Sequence, residues 1–311
     1  MKASGIGGQA VLEGIMMKNG DQYAVAVRKP DGMIEVMKDS CKSRGGTLEK
    51  IKKYPFIRGV FGFVDSLTLG MKTLTWSSEF LEEEKEVMMT EEEKKKAERK
   101  DQIAMTLTMI ASVVIAITLF MILPYFISDL LKTWVPSYTL RLVAEGIIRI
   151  AIFLIYIGSI SYMEDIKRLY QYHGAEHKCI NCVEQGLPLT MENVRKSSKE
   201  HKRCGTSFML FVMIVGIVLL FFVRVESVVM RVVVRIALLP VIAGISYELI
   251  RWAGRSENTI VCLLSKPGLA LQKMTTREPD DQMIEVGIRA VEEIFDWKAF
   301  LKENFDYQDG E

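Results

Sequence analysis

Residues 103–127 read IAMTLTMIASVVIAITLFMILPYFI, an apolar run that contains no charged side chain. An α-helix rises about 1.5 Å per residue, so this run is long enough to cross the roughly 30 Å hydrocarbon core of a bilayer. Lipid is therefore the predicted environment of this segment. Three more apolar stretches, at residues 140–163, 208–223 and 228–249, extend the prediction to about four transmembrane helices.

The N-terminal part of the chain has the patterns of a smaller folded domain. Residues 23–27 and 33–37 read as two strands, and Pro30-Asp31-Gly32 between them has the composition of a hairpin turn. Residues 55–80 are apolar apart from one charge every seven residues. That spacing favours a helix at the membrane interface or against the transmembrane bundle.

The C-terminal tail predicts an amphipathic helix, because four apolar residues recur at helical spacing: Ile284, Ile288, Val291 and Phe295. The sequence therefore predicts a mainly α membrane protein with a cytosolic α+β domain built from the N-terminal hairpin and helix and the C-terminal tail. In chain order, we expect a cytosolic N-terminal region (1–102), a transmembrane pair (103–163) and a cytosolic His/Cys segment (164–207). A second transmembrane pair (208–250) and a cytosolic tail (251–311) follow.

Cations flank the predicted membrane helices unevenly. Lysine and arginine are frequent before residue 103, within residues 164–207 and after residue 251, whereas residues 128–139 contain only Lys132. The positive-inside rule therefore predicts a multi-pass protein of the inner (plasma) membrane with both termini in the cytosol. The formal net charge of +1 gives no reason to expect a nucleic-acid partner. The expected partners are the lipid bilayer, through its anionic inner leaflet, and another membrane protein.

Two of the predicted membrane helices contain charged residues at helical spacing. Arg141, Glu145 and Arg149 recur every four residues, and Arg231 and Arg235 are also four apart. A charge at the bilayer centre costs about 2.5–3.5 kcal/mol, so these side chains are expected to face the bundle interior. An internal ion pair and a polar path for a substrate both fit this pattern.

All three histidines of the chain lie in one short region and flank a carboxylate. His173, Glu176 and His177 follow the order His-x-x-Glu-His, and a helix places the two imidazoles one turn apart on one face. His201 and Cys204 follow at a three-residue spacing. Four nitrogen and sulfur donors suit tetrahedral zinc, with His201 or Cys204 as the third ligand. In the inverted zincin order, the glutamate corresponding to Glu176 is the catalytic base.

Other interpretations of the same region stay open. Cys179 and Cys182 have ligand spacing, so they can complete a structural zinc site, bind nothing or form a redox pair. The odd and scattered set of five cysteines favours a reducing compartment. Without a metal, the histidines would hydrogen-bond backbone carbonyls and lipid phosphates while neighbouring lysines attract the anionic leaflet.

Four motifs carry a family resemblance: GGQAVLEGIMM at 7–17, YHGAEHK at 172–178, HKRCGTS at 201–207 and TTREP at 275–279. Together they resemble the YqhQ-like family of bacterial multi-pass membrane proteins. The resemblance spans nearly the whole chain. It implies a multi-pass architecture, and it implies no particular activity or substrate.

The sequence supports three functional hypotheses. The first is a membrane scaffold or assembly factor with a metal site, occupied by Zn²⁺, at its cytosolic face. The alternative is a zincin-like metal-dependent hydrolase that acts at the membrane face on a peptide or a lipid-linked substrate. The third is an interaction protein without a metal. The first two share the ligand set His173, His177, His201 and Cys204, and they differ in whether Glu176 is catalytic.

Overall fold

The computed structural model describes residues 2–41, 54–82, 91–201, 204–223, 225, 227–253 and 259–308. The described chain is mainly helical and contains one small antiparallel sheet near the N-terminus. Part of the charged segment predicted between residues 82 and 100 lies outside the described residues, as do the side chains of Arg231 and Cys262.

The sheet is a meander of four antiparallel strands in the order β1-β2-β3-β4. Its strands are β1 Ile6–Val11, β2 Gly14–Asn19, β3 Gln22–Arg28 and β4 Ile34–Ser40. The hairpin predicted around Gly32 is the β3–β4 pair, and Gly32 has the positive φ of 86° that the turn prediction required. The first two strands were not predicted, because their glycines read as turn residues.

Both faces of this sheet are covered, which explains why its inner strands are continuously apolar. Ile15 pairs with Ala26 and belongs to one buried cluster, whereas Met16 pairs with Val25 and belongs to another. Alternate side chains of a strand point to opposite faces. The two clusters are therefore two separate cores, one on each side of the sheet.

The helices of the described chain are α1 Ile57–Glu82, α2 Glu91–Ile117, α3 Leu123–Leu130, α4 Tyr138–Ile160, α5 Glu164–Glu184, α6 Met191–Lys196, α7 Gly205–Phe221, α8 Val228–Ala253, α9 Thr259–Thr275, α10 Asp281–Ile294 and α11 Trp297–Phe305. A π-helical turn, Thr118–Ile122, joins α2 to α3, and a 3-10 turn, Leu131–Thr133, follows α3.

Three helical segments are long and apolar enough to cross a membrane: Ile103–Thr133, Tyr138–Ile160 and Val232–Ala253. These segments indicate a membrane protein. The prediction of about four transmembrane helices is confirmed only in part, because helix α7 has 17 residues and extends about 25 Å. A typical spanning helix has about 20 residues and crosses a hydrocarbon core of about 30 Å, so α7 is shorter than the three segments above.

The chain divides into two compact units. The first contains Met1–Leu81, Ile160–Phe211 and Ala243–Glu311, and the second contains Glu82–Ser159 and Val212–Ile242. The first unit combines the N-terminal sheet with the C-terminal helices, so the α+β domain built from both chain ends is present. It also includes helix α5, which carries the His-x-x-Glu-His motif.

Within the first unit, α5 and α10 cover one face of the sheet, and α1 covers the other. Helix α10 begins where the Asp280 side chain caps it by accepting a hydrogen bond from the Met283 amide at 2.9 Å. The predicted apolar residues Ile284 and Val291 lie on its buried face. The tail helix therefore packs on the hairpin as expected, with α5 as an additional neighbour.

Helix α1 contacts both the sheet and α8. Leu69 joins the cluster on the α1 side of the sheet, and Lys72 pairs with Asp39 of β4 at 2.7 Å. Nearer its start, Arg58 forms an ion pair with Glu248 of α8. Within the first unit, the N-terminal end of α1 thus pairs with the last turns of α8, and the rest of α1 packs on the sheet.

A cross-strand contact gives a test of the sheet. A Cβ at Gly14 would lie 2.3 Å from the Ala26 carbonyl oxygen, whereas a Cβ at Gly7 would meet no atom within 4 Å. We expect Gly14→Ala to lower stability by about 1–3 kcal/mol, because the backbone of β3 must move. Gly7→Ala is the matched control, expected to change stability by less than about 0.5 kcal/mol. Thermal unfolding of the purified full chain in detergent measures both, and equal melting temperatures would contradict the described packing.

Candidate metal centre

Helix α5 is buried in the first unit over its whole second half. Every residue from 174 to 184 is buried, although several of them are polar or charged. The predicted site residues His173, Glu176 and His177 lie at the start of this buried part. The segment expected to be a cytosolic His/Cys loop is therefore built around a core helix.

His173, His177 and Cys204 form a group of three donors. Their ligand atoms all lie within 4.8 Å of one another. The Cys204 sulfur is 3.3 Å from His173 Nε2, and the two imidazole ring centres are 4.4 Å apart. Tetrahedral zinc with two nitrogen ligands and one sulfur ligand separates its donors by about 3.3–3.6 Å. The group fits zinc after a small contraction.

Hydrogen bonds to backbone carbonyls orient both imidazoles. His173 Nδ1 lies 2.9 Å from the Thr275 oxygen, and His177 Nδ1 lies 2.7 Å from the Lys199 oxygen. A carbonyl only accepts, so each Nδ1 carries the proton and each Nε2 keeps its lone pair. Carbonyl partners of this kind orient histidine ligands in metal sites. The hydrogen bonds expected of metal-free histidines therefore also prepare these rings for a metal.

His201 is not part of this donor group. Its Nε2 lies 3.5 Å from the Glu184 carboxylate, and its ring centre is 5.7 Å from that of His177. Gln272 holds the His201 backbone by accepting from its amide at 3.0 Å and donating to its carbonyl at 2.7 Å. The sequence left His201 and Cys204 as alternatives for the third ligand, and the structure brings Cys204 to the two histidines.

Glu176 lies beside the donor group. Its carboxylate is 3.9 Å from His173 Nε2, and the side chain is 6% exposed. The carboxylate rests against β1, where a Cβ at Gly8 would lie 2.8 Å from Oε1. Burial raises the pKa of Glu176 to about 7, because the low-dielectric surroundings disfavour the charged carboxylate. The carboxyl group can therefore take up and release a proton near neutral pH.

The second cysteine pair packs in the core. Cys179 and Cys182 are fully buried free thiols, and neither belongs to the donor group found among the described residues. Burial raises the pKa of Cys182 to about 11 and also raises that of Cys179. A metal ligand or redox nucleophile needs the thiolate. The structure places both thiols in the hydrophobic core on the α5 side of the sheet.

The glycine within the motif allows a close backbone contact. A Cβ at Gly174 would lie 2.0 Å from the Arg277 carbonyl oxygen. The Arg277 amide donates to the Tyr170 carbonyl at 2.9 Å. The TTREP segment thus lies directly on α5, which brings the Thr275 carbonyl to His173.

Two buried polar residues of α5 support the site and were not identified from the sequence. Asn181 donates to the carbonyls of Ser198 and Glu200, at 2.6 and 3.0 Å. Lys178 is buried, donates to the Arg195 carbonyl at 2.8 Å and pairs with Glu278. The missed signal is that each of these polar residues directly precedes a cysteine of the same helix, Lys178 before Cys179 and Asn181 before Cys182.

A cavity of about 530 Å³ lies between the start of α5 and the sheet. Arg168 borders it and forms an ion pair with Glu13 at 2.6 Å, and the Tyr172 hydroxyl lies 3.3 Å from the same carboxylate. Leu169 of the cavity wall precedes Glu176 by seven helical residues, about 10 Å along the axis. The lining consists of Val11, Leu12, Glu13, Arg28, Lys29, Pro30, Asp165, Arg168 and Leu169.

Comparison with known proteins places the chain in a family. Residues 54–297 match the family described as "Protein of unknown function (DUF1385)". The chain belongs to this family. Over 301 residues, covering 96% of this chain and 94% of the relative, it is also 36% identical to the "Uncharacterized protein YqhQ" of Bacillus subtilis (strain 168). No solved structure matches the chain.

These comparisons confirm the resemblance drawn from the four motifs. The DUF1385 match includes all three donors and Glu176, and the similarity to the Bacillus subtilis protein extends over 96% of the chain. Because both descriptions leave the activity open, function has to be argued from the geometry of the site.

The donor group predicts which substitutions release a metal. His177→Ala and Cys204→Ala should each lower the bound metal more than about tenfold, because loss of one ligand in three damages the site geometry as well as its charge. His201→Ala is the matched control and should keep most of the metal. Elemental analysis of the purified protein measures all three. Equal metal loss in His201→Ala would show that the third ligand is wrongly assigned.

The shifted pKa of Glu176 predicts a pH dependence of stability. Its folded value of about 7 exceeds the ordinary 4.5, so the folded protein binds more protons between these values. The stabilisation by the protonated carboxyl is complete below pH 4.5 and is lost as pH rises through about 7, by up to about 3 kcal/mol. In chelator-treated protein, the melting temperature should therefore fall from pH 5 to pH 8. Glu176→Gln should flatten this fall, and parallel curves would contradict the shift.

Proposed function

We propose that this protein is a metal-dependent hydrolase of the membrane face, with Zn²⁺ held by His173, His177 and Cys204. The observation that carries the proposal is the position of Glu176 beside the donor group but outside it. Catalytic zinc sites have three protein ligands and leave one position for water or substrate. A carboxylate next to such a position is the usual proton acceptor in metal-assisted hydrolysis.

The chemistry divides between the ion and the chain. A bound zinc ion would act as a Lewis acid and lower the pKa of water to about 7. Glu176 would accept a proton at its carboxylate and return it to the leaving group, a task for which a pKa of about 7 is suited. His173 and His177 orient the centre through their bonds to the Thr275 and Lys199 carbonyls.

The cavity at the start of α5 is the proposed place for the substrate. Its lining has the cations Arg28, Lys29 and Arg168 against two carboxylates, so it suits a polar substrate with an anionic group. Its wall residue Asp165 follows Ile160, the last residue of an apolar helix, by five positions, a distance of at most about 18 Å. This short connection favours a lipid-linked substrate over a soluble peptide. We place the site and both termini on the cytosolic side.

A second candidate function is a membrane scaffold or assembly factor with a structural metal. The burial of the centre favours it, because His177 is only 2% exposed and Cys204 4%. A metal there would join α5 to the segments that carry Cys204, Lys199 and Thr275. Such a protein would act by holding another membrane protein, and Glu176 would then have no chemical task.

Glu176→Gln separates these two functions. The amide keeps the side-chain shape and should keep the metal, but it removes proton transfer, which usually contributes about 10²- to 10⁴-fold in rate. We expect a deletion strain to be rescued neither by Glu176→Gln nor by His177→Ala, with only the second losing metal. Glu192→Gln, at an exposed carboxylate paired with Lys196, is the control and should rescue fully. Full rescue by Glu176→Gln at normal protein level would eliminate the hydrolase and leave the scaffold.

A further inference from the structure

The second unit contains a buried charged cluster of one carboxylate and two guanidinium groups. Arg149 and Arg235 both donate to Oε1 of Glu145, at 2.8 and 2.6 Å. All three side chains are at least 90% buried. They lie in α4 and α8, two of the helices that are long and apolar enough to cross a membrane.

The cluster carries an excess positive charge that Glu145 cannot balance. Two guanidinium groups stay protonated at any physiological pH, so the three side chains sum to +1. Within the described residues, the buried Nε atoms of Arg149 and Arg235 have no hydrogen-bond partner. Buried charges are normally paired, and buried N–H groups are normally hydrogen-bonded. Both departures occur at one place, and a single negative charge with several acceptor oxygens would resolve both.

A backbone irregularity faces the same cluster. The chain between α2 and α3 forms the π-helical turn Thr118–Ile122, and the Met121 carbonyl within it accepts a hydrogen bond from Arg235 at 3.1 Å. The Arg235 guanidinium also lies 5.7 Å from the Tyr125 ring centre. π-helical turns occur frequently at functional sites. The turn and the aromatic ring hold Arg235 in place, and its buried Nε remains without a hydrogen-bond partner among the described residues.

The cluster lies at the same depth in both helices, counted from their first residues. Glu145 is seven residues from the start of α4, and Arg235 is seven residues from the start of α8, so each lies about 10 Å into its helix. Arg141, one turn closer to the start of α4, is bound to the Val135 and Pro136 carbonyls at 3.0 Å each. Arg141 therefore lies between this end of α4 and the cluster.

We propose that Glu145, Arg149 and Arg235 form a binding site for a phosphate group within the apolar helices. A phosphate diester carries one negative charge, which matches the excess of the cluster, and its oxygens accept paired hydrogen bonds from arginine. The phosphate belongs to a membrane lipid or is free inorganic phosphate. Bound there, it accepts from Nε of Arg149 and Arg235 and leaves the pairs with Glu145 intact. The site is independent of the metal centre.

Thermal unfolding of the full chain in dodecyl maltoside, in phosphate-free buffer, tests the site. Dioctanoyl-phosphatidylglycerol and sodium phosphate are titrated in separate arms, with dioctanoylglycerol as the phosphate-free lipid control. A ligand that binds only the folded protein raises its melting temperature as the ligand concentration rises. A rise with the phospholipid alone identifies a lipid phosphate, and a rise with sodium phosphate identifies the free ion. No rise in either arm, or an equal rise with dioctanoylglycerol, overturns the site.

Removing a positive charge and removing a negative charge from the cluster should change the half-maximal ligand concentration in opposite directions. Arg149→Met removes the excess and leaves the Glu145–Arg235 pair, so we expect an unchanged or higher basal melting temperature and at least a tenfold higher half-maximal ligand concentration. Glu145→Gln raises the excess to +2 and should lower that concentration. Lys132→Met, which removes an exposed cation, is the matched control and should behave as wild type. A ligand response that survives Arg149→Met overturns the proposal.

Discussion

The burial of a polar helix is the constraint on which the first unit depends. Helix α5 buries charged and amide side chains alongside its histidines, and burying such groups costs free energy unless each one finds a partner. The partners are backbone groups of two distant segments, which provide carbonyls to Lys178 and Asn181 from residues 195–200 and to His173 from Thr275. The hydrogen bonds that the buried side chains of α5 require therefore determine both how these segments fold and how the donor group is arranged.

The same constraint explains the composition of the motifs. Gly174 is needed because the Arg277 carbonyl lies where a side chain would be, and Gly8 is needed because the Glu176 carboxylate occupies the equivalent space at β1. The raised pKa of Glu176 depends on the exclusion of water from its carboxyl group, against which β1 packs at Gly8. Residues of GGQAVLEGIMM, YHGAEHK and TTREP, far apart in sequence, are thus parts of one arrangement around one carboxyl group.

Sequence patterns predicted the features with a strong local signal. The apolar run at residues 103–127, the turn at Gly32 and the spacing of Ile284 and Val291 each identify an element without reference to the rest of the chain. The donors were also found, because histidines at a four-residue spacing are a local pattern. The choice of Cys204 over His201 depends on the contacts of His201 with Gln272 and Glu184, which join residues up to 71 positions apart and leave no local pattern in the sequence. Strands β1 and β2 were missed because their glycines have the pattern of a turn. Gly8 and Gly14 are instead required by close contacts with Glu176 and Ala26, which the sequence does not show.

The two-sided burial of the sheet imposes an order on biosynthesis. Ile15 and Met17 are made among the first residues of the chain, yet their face of the sheet is covered partly by α10, whose residues 281–294 are made near the end. The segments that enter the bilayer are translated in between. The nascent strands therefore stay without their full core until membrane insertion is complete. Exposed apolar strands of this kind are prone to aggregation, so a chaperone that binds the emerging N-terminus would have a defined period in which to act.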